Sequence, residues 1–152
     1  MSDILFCMVD PAVPEGEYMS STDPGQIVTL ADYENDIVLY MQNSSDIVVD
    51  AASINIRYSY PLDKPVIFAE KAPNGLYFTR ADIARVIGQR YEYIYDMENA
   101  TSGVAETNIP GMYNRVTTDG RFGIWGHVLG DLVLHTVSYE SSTDTYNLGI
   151  DS

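Results

Sequence analysis

Between Thr79 and Met97, apolar residues recur at three- and four-residue steps: Ile83, Val86, Ile87, Tyr91, Ile94 and Tyr95. That spacing matches the turn of an α-helix and gathers one apolar face. The start is signalled as well. Thr79 is a favourable N-cap, and Asp82 three residues on stands like the acid of a capping box, with Asp in place of Glu. Asp82 also suits the positive end of the helix dipole. The pattern predicts a helix over about 80–97, with Arg85, Arg90, Glu92 and Asp96 on the solvent side. Tyr91, Tyr93 and Tyr95 allow an aromatic stacking site. The favoured reading packs Tyr91 and Tyr95 in the core with their hydroxyls at its edge. A one-faced helix must cover something apolar, which here is a sheet.

The strand signals lie on both sides of this helix. Residues 4–9 form a short apolar run closed by Asp10-Pro11, expected as a buried strand. Residues 10–26 carry Pro11, Pro14, Gly16, Pro24 and Gly25 and are expected as a loop. Gln26–Leu30 is a possible strand. Asp36–Gln42 is a better one, being rich in β-branched and aromatic residues. Asn43–Asp46 would turn it back onto Ile47–Val49 as a hairpin. Ser53–Tyr60 alternates, with Ile54, Ile56, Tyr58 and Tyr60 on one face. Val66–Ala69 is a short apolar run, residues 98–112 a polar loop, and Leu132–Tyr139 with Thr145–Ile150 a closing hairpin. The expected fold is α+β: an antiparallel β-rich domain with one main helix and a C-terminal β-hairpin. No linker divides the 152 residues, so 1–152 reads as a single domain, with an acidic β-rich part at 1–70 and the helix, glycine-rich loop and hairpin at 74–152.

Charge excludes several functions. The chain has 22 acids against 8 bases, a net −14. All ten acids up to Asp50 precede the first base, Arg57. Such a surface repels nucleic-acid backbones and anionic membranes, so neither is an expected direct partner. It suits a basic protein, or an acidic decoy that imitates a nucleic-acid backbone. The plainer explanation of the acids is solubility. Cys7 is the only cysteine, so no internal disulfide framework exists; it is read as a small core hydrophobe. Asp3 stands where a signal peptide carries positive charge, and no apolar run approaches the roughly 20 residues of a membrane span. An intracellular protein is expected.

Function concentrates in residues 111–131, which hold five of the eleven glycines, the only tryptophan and one of two histidines. The candidate binding loop uses Asn114, Arg115, Arg121, Trp125 and His127. Arginine holds carboxylate or phosphate with two bonds, and histidine moves protons near neutral pH. The catalytic or ligand-binding reading predicts a polar cleft in which Arg121 and His127 converge, with Trp125 partly exposed. The favoured reading is structural: Trp125 plugs the core, the glycines let the chain turn in, and His127 satisfies a backbone group. His127, Asp131 and His135 are spaced by four, which suits a metal only on a helix. Leu132–Tyr139 is β-branched and read as strand, so no metal is expected. No P-loop, Gly-x-Gly-x-x-Gly, Gly-x-Ser-x-Gly or His-Glu-x-x-His motif is present, and no cofactor is expected.

Residues 74–152 carry Asn74-Gly75, Phe78-Thr79-Arg80-Ala81-Asp82, Gly111-Met112-x-Asn114-Arg115 and Gly123-Ile124-Trp125-Gly126-His127. In this order they resemble a group of uncharacterised proteins of large nucleocytoplasmic DNA viruses. The resemblance covers about half the chain and brings no activity with it. It implies a setting, the host cytoplasm of an infected cell or the virion. The expectation is a non-enzymatic protein–protein interaction or structural module, with homo-oligomerisation through exposed strand edges. The alternatives are a small enzyme or ligand binder using the 111–131 loop, and the acidic decoy.

Overall fold

The computed structural model describes residues 3–6 and 28–152. Cys7, the end of the first apolar run and the expected 10–26 loop lie outside the described residues. The fold is α+β. In chain order come β1 (Ile4–Leu5), β2 (Val28–Thr29), α1 (Tyr33–Leu39), β3 (Ile47–Val49), β4 (Ser53–Tyr58), β5 (Val66–Lys71), β6 (Phe78–Thr79), α2 (Arg80–Thr101), a 3₁₀ turn at Leu129–Asp131, β7 (Val133–Glu140) and β8 (Thr145–Asp151).

The main sheet runs β1-β7-β8-β4-β5, with β2 also pairing along β7. Among the described residues only β4 and β8 run parallel; the other pairs of this sheet are antiparallel. The hairpin expected at the end is β7–β8. β4 keeps the alternation read in its sequence, with Ile54, Ile56 and Tyr58 buried.

α2 lies across the sheet. Its N-terminus has the expected capping box: the Thr79 hydroxyl accepts from Asp82 N–H at 3.1 Å, and Thr79 N–H donates to the Asp82 carboxylate at 3.0 Å. Ile83, Ile87, Tyr91 and Ile94 are fully buried. Burying each such side chain contributes about 1.5–3 kcal/mol. Tyr91 meets Tyr58 of β4 edge to face at 5.4 Å. The Tyr91 and Tyr95 hydroxyls reach the core's edge, donating to the Tyr60 and His127 carbonyls at 2.7 and 2.8 Å. Two of the expected solvent residues are anchored instead. Arg90 pairs with buried Glu70 at 2.7 Å and lies over Phe68, while Arg85 grips Glu34 with two 2.8 Å bonds.

Three sequence expectations are corrected. Asp36–Gln42 is not a strand; α1 ends at Leu39. Local β propensity yields here to tertiary contacts. Ile37 is buried, and the Asp36 carboxylate accepts Thr29 N–H at 2.7 Å. The Tyr33 ring occupies the space a Cβ would need at Gly88 of α2. In consequence β3 has no hairpin partner in 36–42 and pairs with β6. Finally, α2 continues through Thr101 where a loop was expected from residue 98, because Glu98 is fully buried and bonded.

Candidate functional site

Glu98, in the last turn of α2, organises the glycine-rich loop. Its carboxylate accepts the Thr118 hydroxyl at 2.6 Å. It also accepts the backbone N–H groups of Gly120 (2.9 Å), Phe122 (2.9 Å), Gly123 (3.1 Å) and Ile124 (3.3 Å). A buried carboxylate is costly unless its lone pairs are filled, and these donors fill them. Burial pushes its pKa up, but the Thr118 hydroxyl and the backbone donors outweigh burial and hold it below the ordinary carboxylate range. The backbone wraps so closely that a Cβ at Gly120 would stand 2.6 Å from a Glu98 carboxylate oxygen and 2.7 Å from the Glu98 carbonyl oxygen. Only glycine fits there.

Arg115 sits behind this loop and is 1% exposed. Its guanidinium donates to Thr118 at 3.0 Å, pairs with Glu106 at 3.2 Å and faces the Tyr95 ring at 5.4 Å. Arg115 is therefore an internal brace and no ligand grip. Arg121 lies on the surface, bonded to the Tyr93 hydroxyl at 3.4 Å and over the Phe122 ring.

The remaining candidates meet. Tyr113, Asn114, Gly126, His127, Asp131 and Ser152 line a surface groove of about 270 Å³. Arg121 is not on it, so the convergence of Arg121 and His127 required for a cleft between them is not formed. Trp125 is 37% exposed and does not plug the core; Phe122 and Ile124 fill that role at 2% and 0%. Trp125 stacks edge-on against Tyr60 at 5.1 Å, and His127 adjoins both rings at 5.7–5.8 Å. Tyr113 is 99% exposed at the groove.

The His127 ring has a polar neighbour at each nitrogen. Nε2 lies 3.2 Å from Ser152 Oγ, and Nδ1 lies 3.5 Å from Asp131 Oδ2. The Tyr60 hydroxyl is 2.8 Å from the same Ser152 Oγ. His135 sits on β7 with Asp151 at 3.7 Å, so the two histidines take different acids. Among the described residues no group of three or more His, Cys, Asp or Glu side chains is placed to hold a metal ion.

A second depression, about 350 Å³, lies between the start of β4 and the β7–β8 turn, lined by Asn55, Tyr139, Asp144 and Tyr146 among others. It is larger, but none of the candidate site residues Asn114, Arg115, Arg121, Trp125 and His127 lines it, and the chemistry gathers at His127. Among the described residues no helix is long and apolar enough to cross a membrane.

Sequence reasoning passed over Glu98, Tyr60, Asp131 in this role, and Ser152. Glu98 had a readable signal, since it continues the Tyr91, Ile94, Tyr95 spacing onto the buried face. Asp131 stands four residues from His127; Tyr60 and Ser152 are brought in by chain closure, which no local pattern announces. No family model, curated protein or solved structure matches this chain.

Proposed function

We propose that the chain is a protein–protein interaction module of a virus-infected cell, docking a basic partner protein at the aromatic groove around Tyr113 and His127. The observation that carries this reading is Tyr113, 99% exposed beside a groove that adjoins the Tyr60–Trp125–His127 ring cluster. Tyr and Trp dominate binding energy at protein interfaces when they sit on a fixed support. The support here is rigid, because Glu98 and Arg115 tie the loop to α2, so docking loses little conformational entropy. The net charge of −14 favours a basic partner and disfavours nucleic acid and anionic membrane. The viral setting rests on the resemblance in residues 74–152. A second copy would pair at β5, which ends the strand order of the main sheet.

The test is a pull-down from infected-cell lysate with the tagged wild type and a Tyr113→Ala/Trp125→Ala variant, at low and at above-physiological salt. A partner held by the wild type at the higher salt and lost by the variant supports the reading, since screening weakens exposed charge contacts first. Equal retention by both proteins overturns the docking site. Basic proteins retained only at low salt would mark simple polyanion behaviour.

A further inference from the structure

The groove holds an arrangement that docking does not need. A serine hydroxyl, an imidazole and a carboxylate stand in line: Ser152 Oγ is 3.2 Å from His127 Nε2, and His127 Nδ1 is 3.5 Å from Asp131 Oδ2. We propose that Ser152, His127 and Asp131 form a nucleophile, base and orienting acid that hydrolyse small uncharged carboxylic esters. Such a constellation is defined by geometry and roles, whatever the order of its residues in the chain. The lack of a Gly-x-Ser-x-Gly string therefore excludes one fold's version of it and no more.

Each member is fixed from outside. The Asp131 carboxylate accepts Val128 N–H at 3.3 Å, closing the 3₁₀ turn. The Tyr95 hydroxyl donates to the His127 carbonyl at 2.8 Å and pins the histidine backbone. The Tyr60 ring packs 5.7 Å from the imidazole, and its hydroxyl lies 2.8 Å from Ser152 Oγ. With Tyr60 donating to Oγ, the Ser152 proton is left for Nε2. The Nδ1–H tautomer facing Asp131 leaves Nε2 free to accept it.

Substrate class follows from the groove. At about 270 Å³ it takes a short acyl chain, and Asp131 on its wall opposes an anionic group. Asn114 also lines the groove, and its side-chain amide is the type of donor that suits a developing oxyanion. Ser152 Oγ bonds to the acyl carbon while its proton passes to His127 Nε2. The bond from that carbon to the alkoxy oxygen then breaks, and the leaving oxygen takes the proton from Nε2 and departs as an alcohol. Water attacks the acyl-serine next, giving one proton to Nε2. The acyl–Oγ bond breaks and Oγ recovers that proton. One ester and one water become one acid and one alcohol, with no change of oxidation state. This goes beyond the docking reading and stands or falls without it.

The test treats the full chain with a fluorophosphonate probe and, separately, with p-nitrophenyl acetate. The wild type is expected to gain one adduct, mapped to Ser152 by peptide mass. Ser152→Ala should lose the adduct and the turnover; Ser152 is exposed, so the fold tolerates the change. His127→Gln should slow labelling about 100-fold, the usual contribution of a general base. His135→Gln, the other imidazole beside a carboxylate, should label like the wild type. Circular dichroism confirms that each variant is folded. Three results overturn the proposal: no wild-type labelling under conditions that label an established serine hydrolase, an adduct that survives Ser152→Ala, or ester turnover kept by Ser152→Ala but lost in His127→Gln. The last is the mark of a bare imidazole acting alone.

Discussion

Glu98 accepts the Thr118 hydroxyl at 2.6 Å, and through that contact the last turn of α2 meets the loop that carries Asn114, Trp125 and His127. Thr118 also accepts from Arg115 at 3.0 Å, so one hydroxyl joins a buried acid to a buried base. The candidate site is thus hung from the helix by a polar network inside the core.

Glu98→Gln keeps the side chain's shape but turns an amide N–H₂ toward groups that are themselves donors. Hydrogen bonds to a buried charge contribute more than neutral ones, and orphaned donors carry a desolvation penalty. The expected loss is about 3 kcal/mol, or a melting temperature roughly 6–12 °C lower for a chain of this size. Urea and thermal unfolding measure it. A change below about 0.5 kcal/mol would mean that the network does not hold the loop.

The same carboxylate predicts a pH effect. Its folded pKa lies below the ordinary value, because the Thr118 and backbone donors outweigh burial. The unfolded state therefore binds the proton more readily. The stabilisation is complete above an unfolded pKa of about 4.3 and is lost as pH falls through the lower folded value. The stability gap between wild type and Glu98→Gln should narrow between pH 6 and pH 3. A gap that stays constant over that range contradicts the assignment.

Gly120→Ala would place a methyl 2.7 Å from the Glu98 carbonyl oxygen, a backbone atom that cannot swing aside. The expected cost is about 3 kcal/mol, at the upper end for overpacking. Denaturant unfolding reads the loss. A variant as stable as the wild type would show that the helix end and the loop can separate without penalty.

Gly88→Ala tests the contact between α1 and α2. In an open helix this change stabilises by about 1 kcal/mol. Here the new Cβ meets the Tyr33 ring, so the sign reverses to a loss of about 1–3 kcal/mol. In a Tyr33→Ala background the same change should be neutral or stabilising. A double-mutant cycle with no coupling would remove Tyr33 from the packing account.

Trp125, the only tryptophan, reports on the groove by fluorescence. At 37% exposure and stacked on Tyr60, it should be quenched by acrylamide at a rate between those of a buried and a free indole. Tyr60→Ala should raise the quenching rate and shift emission to the red. Quenching as slow as for a core tryptophan would contradict the stacked, half-open placement.

The α2 helix was legible because its signals are local: a capping box within four residues and an apolar stripe repeating every turn. β4 and the β7–β8 hairpin were legible from alternation and turn residues. Asp36–Gln42 misled because Ile37, Val38 and Tyr40 favour strands, while the contacts that make the segment a helix come from Thr29, Arg85 and Gly88. In the candidate site, the glycines marked a turning chain, and Asn114 and His127 line one groove beside it. The glycines could not separate Arg115, buried under the loop, from Arg121 on the surface, because both follow the same local chemistry.

By itself the sequence determined the α+β class, the main helix and its capped start, the closing hairpin and the acidic balance. Each is a matter of residues a few positions apart, or of composition. Only tertiary structure decided which acid would be desolvated and satisfied, and which side chains would flank His127. Glu98 works because donors from 118–124 converge on it, and His127 because Tyr60 and Ser152 reach it from distant parts of the chain. Solvent exclusion and directional hydrogen bonding act on distance in space, which separation along the chain does not encode.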